Sequence, residues 1–171
     1  MDKICIKNPP NKYRPIPFWS WNEKLEVSET VRQIGVMEDA GMGGFFMHAR
    51  GGLRTEYMGS EWFENVKASI AESEKRGMYP WAYDENGWPS GFGNGVVCDM
   101  GEEYQQKFLR IEEGVGDTPH TICNVNGFHL YYEVNPFYVD TLDEKVIKEF
   151  INTVHEKYYE EVDLPRLRLR T

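Results

Sequence analysis

Three short apolar runs recur along the chain: "IPFWSWN" (Ile16 to Asn22), "GGFFMHA" (Gly43 to Ala49) and "MYPWAYD" (Met78 to Asp84). Each interval between them has the period of an amphipathic helix. In the first interval Ser28 is a natural N-cap with Glu29 in the first turn, Val31, Ile34 and Met37 keep helical spacing, and Gly41 is placed to end the helix. In the second, Ser60 is the expected cap and Trp62, Phe63, Val66 and Ile70 lead to Gly77. Strands alternating with helices of ~10–15 residues predict crossover connections and a parallel sheet. "GGFFMHA" shows no polar alternation, as expected of a strand covered on both faces.

The rhythm breaks after the third strand. Asn126-Gly127 lies between "HTICNV" and "FHLYYEV" in the arrangement of a two-residue hairpin, so residues 92–140 read as a β-rich insertion. Within it "EEYQQKFLRIEE" fits helix or strand equally. From Thr141 the helical signal returns. Thr141 with Glu144 has the form of a capping box, and Leu142, Val146, Ile147, Phe150, Ile151, Val154, Tyr158 and Val162 hold one apolar face. With the insertion removed, 141–162 becomes the helix following the third strand. The ending "DLPRLRLRT" (163–171) alternates Leu with Arg: either a charged edge strand or sequence foreign to the fold, as a truncation or frameshift would leave.

These boundaries, 1–91, 92–140, 141–162 and 163–171, describe about three βα units of an incomplete (β/α)8, TIM-barrel-like α/β domain. At 171 residues the chain is too short for all eight units, which usually need ~250 residues. Three strands leave an open sheet edge through which the chain is expected to self-associate.

Twenty-eight acids against 19 bases give a net charge of -9, which argues against nucleic acid or an anionic membrane as a partner. No apolar stretch approaches the ~20 residues of a membrane span, and the first residues lack a signal-peptide core, so a cytoplasmic location is expected. Cys5, Cys98 and Cys123 form no Cys-x-x-Cys pair, and His48, His120, His129 and His155 show no His-x-x-x-His spacing, so no metal site is predicted.

In parallel α/β folds, ligands bind at the C-terminal ends of the strands. Here those ends carry Trp21 and Asn22, then His48 and Arg50, then Asp84, Glu85 and Trp88 in "YDENGWPSGFGNG". They are expected to meet on one face. Asp84 and Glu85 suit either a turn or a pocket; being adjacent on an extended chain, they should point opposite ways, with one of them facing the ligand. Trp21 and Trp88 suit a core, or a platform on which a sugar stacks while carboxylates accept its hydroxyl protons. His48 reads as a hydrogen-bonded strand histidine or a pocket residue, and Arg50 as a partner that keeps Asp84 or Glu85 ionised. "GFGNGVV" lacks the Lys-Ser/Thr ending of a phosphate-binding loop. Tyr158, Tyr159 and His155 read as packing.

"PFWSWN", "GGFFMHARGGLRTEYMG", "EWF", "WAYDENGWPSGFGNG" and "YYEVNPFYVDTLDEKVIKEFINTVHEKYYEE" together resemble the N-terminal part of the catalytic barrel of bacterial glycoside hydrolases similar to family 106, the α-L-rhamnosidase group. The resemblance runs from Pro9 to about Val162. It implies a (β/α)8 domain, calcium-assisted in some members, that removes a terminal deoxyhexose such as rhamnose from glycans by an inverting route. One carboxylic acid then protonates the leaving oxygen while a second, ~6.5–9.5 Å away, activates water.

Carried over by position, Trp21, Asn22, His48, Arg50, Asp84, Glu85 and Trp88 look like substrate-positioning groups. The family's next strand, ending in Asp-Glu-Pro and supplying a catalytic carboxylate, has no counterpart here. The resemblance therefore implies a hydrolase fragment without turnover of its own. Two alternatives are a non-catalytic carbohydrate-binding or assembly module, and a self-sufficient enzyme with Glu85 as acid and Asp84 as base, an awkward pairing for adjacent residues.

Overall fold

A computed structural model describes residues 7–162 and the backbone of residues 168–170. In chain order the elements are β1 (Phe18–Trp21), α1 (Val27–Asp39), β2 (Gly44–Ala49), α2 (Ser60–Arg76), β3 (Tyr79–Asn86), β4 (Gln105–Glu113), β5 (Thr121–Val125), β6 (Phe128–Val139), α3 (Glu144–Phe150), a π-helical stretch (Ile151–His155), α4 (Glu156–Glu161) and β7 (Arg168–Arg170). They divide into two compact units, Met1–Ser90 with Val154–Thr171, and Gly91–Thr153.

The first unit is a parallel sheet in the order β1-β2-β3-β7. Phe18 lies beside Phe46, which lies beside Trp81; one residue on, Trp19, Met47 and Ala82 align. The period of two sends these rows to opposite faces. One face carries rings, with Phe18 stacked on Phe46 at 5.1 Å and Phe46 on Trp81 at 5.4 Å. The other belongs to the helices. There Trp21 packs edge-on against Trp62 of α2 at 4.9 Å, Trp62 Nε1 donates to Tyr158 of α4 at 3.2 Å, and Phe63 meets the Tyr158 ring at 5.4 Å. Thr30 Oγ1 donates to Asn65 Oδ1 at 2.7 Å, joining α1 to α2 out of contact with water.

Gly44 lets β2 and β3 close, since a Cβ there would lie 2.2 Å from the Tyr79 carbonyl oxygen. Residues 168–170 pair in parallel with Trp81, Ala82 and Tyr83; the rest of the tail, 163–167 and 171, lies outside the described residues. The expected α/β fold with a parallel sheet is present. The expected barrel is not closed among the described residues, because four strands form an open sheet.

The second unit is an antiparallel sheet in the order β4-β6-β5. Asn126 (φ 53°) and Gly127 (φ 81°) both take left-handed backbone between β5 and β6, which matches the twist of a two-residue hairpin. The ambiguous "EEYQQKFLRIEE" resolves mainly into β4, whose Arg110 pairs with Glu133 of β6 at 2.7 Å.

The helix starts differ from expectation. Ser28 falls inside the first turn of α1, whose N-cap position is Glu26; the chain before it is held instead by Thr55 Oγ1, which accepts from Leu25 N–H at 2.8 Å. Ser60 is the first residue of α2, after Gly59. The Thr141–Glu144 box does not form, because Asp143 caps α3 by accepting from Lys145 N–H at 2.8 Å, and Leu142 is left 96% exposed. The single helix expected over 141–162 is interrupted by the π stretch. Its buried residues Val146, Phe150, Val154, Tyr158 and Val162 recur every fourth position. An α-helix turns ~100° per residue, so each such step overshoots a full turn by ~40°; one wider π turn takes up part of the drift.

Candidate functional site

The C-terminal end of β3 departs from regular pairing. Met47 lies opposite Ala82, but Ala49 lies opposite Asn86, so two steps on β2 face four on β3. Extra residues in one strand form a bulge, which re-aims side chains. Asp84 and Glu85 lie in this irregular stretch. Both are fully buried.

Asp84 is bonded through both oxygens: Ser90 Oγ donates to Oδ1 at 2.7 Å, and His155 Nε2 lies 2.9 Å from Oδ2. Glu85 Oε1 accepts from the Asn86 N–H at 2.7 Å. Burial pushes the Tyr57 hydroxyl well above its ordinary value, and Tyr158, Glu85 and Asp84 add to that push. Burial also raises the Tyr158 hydroxyl, against the hydrogen bond from Trp62, with Asp84 adding to the rise. Both phenols are therefore neutral near these acids. The Tyr57 hydroxyl is buried without a hydrogen-bond partner among the described residues.

Beside this buried cluster opens a groove of about 250 Å³ lined by Phe18, Ser20, His48, Arg50 and Trp88. Trp88 is 68% exposed and lies parallel to Tyr83, at 5.8 Å and 2° between planes, which leaves its outer face to solvent. His48 is buried, and its Nε2 lies 3.1 Å from the Gly87 carbonyl oxygen. A carbonyl only accepts, so Nε2 carries the proton, and neutral His48 keeps Nδ1 as an acceptor. Burial lowers the His48 pKa against the Gly87 bond, and the Arg50 charge lowers it further.

Of the seven expected site residues, His48, Arg50 and Trp88 share this groove. Trp21 is a core residue, edge-on to Trp19 and Trp62, which is the commoner fate of a Trp. Trp21 and Asn22 line a different hollow, of about 340 Å³, between β1 and the start of α1. Asp84 and Glu85 lie beneath the surface, and neither lines the groove. Arg50 makes no ion pair with Asp84, Glu85 or any other acid among the described residues, so its expected role as their partner is corrected: Asp84 is held by Ser90 and His155.

His155, Ser90 and Tyr57 were not recognised in the sequence. His155 lies on the four-residue-spaced helix 71 positions from Asp84, and no local pattern links the two. Ser90, within "NGWPSG", carries a weak signal as the hydroxyl of the turn after the acids.

No protein-family model matches the chain, and no curated protein matches it. Among solved structures it is similar to a rhamnosidase from Novosphingobium sp. PP1Y, with a TM-score of 0.50 and 21% identity over 67% of this chain. The match spans 12% of that rhamnosidase chain. At this identity the likeness is one of fold.

The resemblance to family 106 also raised calcium, which takes six to eight oxygen ligands. Among the described residues no three His, Cys, Asp or Glu side chains form a group that could hold a metal ion. Among the same residues no helix is long and apolar enough to cross a membrane.

Proposed function

We propose that the chain forms one wall of the sugar site of a rhamnosidase-like glycoside hydrolase, part of a TIM-barrel-like catalytic domain, and that alone it binds sugar without turning it over. The observation that carries this reading is the groove at the β1, β2 and β3 strand ends, where an exposed indole face adjoins a neutral imidazole and a guanidinium. The fold likeness to a rhamnosidase supports it.

On this reading the apolar face of a deoxyhexose lies on Trp88. Arg50 N–H groups donate to its ring or hydroxyl oxygens, and His48 Nδ1 accepts a hydroxyl proton. The groove is below the ~300–1,000 Å³ of drug-sized pockets, a volume suited to one sugar ring.

Inverting hydrolysis needs an acid and a base that both reach the scissile bond. Asp84 and Glu85 are sealed from water, and Asp84 is bonded through both oxygens. Their role here is to hold the loop that carries Trp88, not to serve as the acid–base pair. That burial also favours the second reading, a carbohydrate-binding module with no hydrolytic parent.

The test is a titration of the purified chain with L-rhamnose, beside a hydrolysis assay on an aryl rhamnoside. Saturable binding with no turnover is expected. Hydrolysis at ~1 per second or faster would overturn the assignment of Asp84 and Glu85, and absence of any sugar binding would overturn the reading as a whole. Binding without hydrolysis even in a longer chain that includes the remaining barrel strands selects the binding module.

A further inference from the structure

We infer that the Trp88 groove, while it takes neutral sugars, favours a sugar bearing a carboxylate, a uronic acid, over its neutral counterpart, with Arg50 as the carboxylate's partner. The inference rests on the carbohydrate reading above and adds the charge of the ligand.

Among the described residues, four of the other five arginines pair with acids, and Arg14 bonds the Pro9 carbonyl and the Asn8 side chain. Arg32 pairs with Glu29, Arg54 with Glu23, Arg76 with Glu38 and Glu72, and Arg110 with Glu133. Arg50 is exposed at the first position beyond β2, and among the described residues it has no acidic partner, although the chain carries 28 acids. The other groove residues, Phe18, Ser20, His48 and Trp88, include no carboxylate that would compete for it.

The acids near the end of β3, Asp84 and Glu85, are buried and do not line the groove. Arg50 is therefore the one charged side chain among the residues that line the groove. His48 is neutral, its Nε2–H held by the Gly87 carbonyl.

A guanidinium presents its donors as a planar fork that matches a carboxylate through two parallel hydrogen bonds. A neutral sugar uses that fork one hydroxyl at a time. A ring stacked on Trp88 with a carboxylate at its edge uses both the indole face and the fork.

The experiment compares methyl glucuronoside with methyl glucoside, which differ only at the carbon bearing the carboxylate, and adds L-rhamnose as a third probe. Binding is followed by NMR at the Trp88 indole N–H for the unmodified chain, R50Q and R50K. Arg50 is exposed, so R50Q is expected to fold, and an unchanged spectrum away from the groove checks this.

The inference predicts that the uronate binds ~tenfold or more tightly than the glucoside, a gap of ~1.4 kcal/mol. R50Q should erase that preference, R50K should retain part of it, and added salt should narrow it. Equal affinities in the unmodified chain, or a preference that survives R50Q, overturn the inference while leaving sugar binding intact. If none of the three sugars binds, the carbohydrate reading fails and the inference with it.

Discussion

Asp84 is where burial and hydrogen bonding bear most heavily on one side chain. D84A leaves Ser90 Oγ and His155 Nε2, both half-buried, without their acceptor, and each lost partner of that kind costs about 1–3 kcal/mol. Urea unfolding of D84A should show a loss of about 2–4 kcal/mol, with D84N losing less because an amide oxygen still accepts. An unchanged unfolding midpoint for D84A would mean that the pair does not hold the loop.

His48 makes a second prediction at this scale. Its folded pKa is lowered by burial and by Arg50, so folding favours the neutral ring. The stability this contributes is complete above the ordinary imidazole value of about 6.5 and is lost as pH falls through the lower folded value. NMR titration should give a His48 midpoint below that of an unstructured histidine, and R50Q should move it upward. A midpoint unmoved by R50Q would remove Arg50 from the electrostatics of the groove.

Residue types at the strand ends were legible in the sequence, but their directions were not. That Asp84 and Glu85 are both buried, in an irregular stretch of β3, depends on how β2 and β3 pair across some 40 residues of sequence.

At the scale of elements, two contacts hold the first unit in register. Y158F removes the acceptor of the Trp62 indole N–H in the helix layer and should cost about 1–3 kcal/mol, which for a chain of this size lowers Tm by roughly 2–4 °C per kcal/mol. G44A drives a methyl group into the Tyr79 carbonyl and should part β2 from β3 at a cost of about 1–3 kcal/mol. A G44A chain as stable as its parent would contradict the pairing of β2 with β3.

Helix and strand existence was legible from hydrophobic period, and the Asn126-Gly127 hairpin from its turn chemistry. The helix starts differ from the pattern because Ser28, Ser60 and Thr141 are good caps in isolation. Where a helix begins was decided by what the preceding chain could bond, Thr55 for the approach to α1 and Asp143 for α3. The four-residue spacing of Val146, Phe150, Val154, Tyr158 and Val162 was visible in the sequence. Taken against a 3.6-residue turn, it points to the π stretch that interrupts the helix.

For the whole molecule, the order β1-β2-β3 with helical crossovers follows from spacing that local propensity alone enforces. Closure of a barrel requires strands that the described residues do not supply. The open sheet has a ring-bearing face, and β4 in the second unit leaves Leu109 70% and Ile111 63% exposed. Apolar surface of this kind favours association. Sedimentation should show species heavier than the 20.0 kDa chain as concentration rises, and a strict monomer at high concentration would contradict this.

The central claim, that the strand-end groove is a sugar site, is tested most directly by titrating the chain with L-rhamnose while observing the Trp88 indole resonance in the parent and the His48 resonances in W88A. The account predicts saturable shifts at Trp88 in the parent and at least a ~tenfold weaker response at His48 in W88A. No shift at Trp88, or binding of equal strength in W88A, would contradict it.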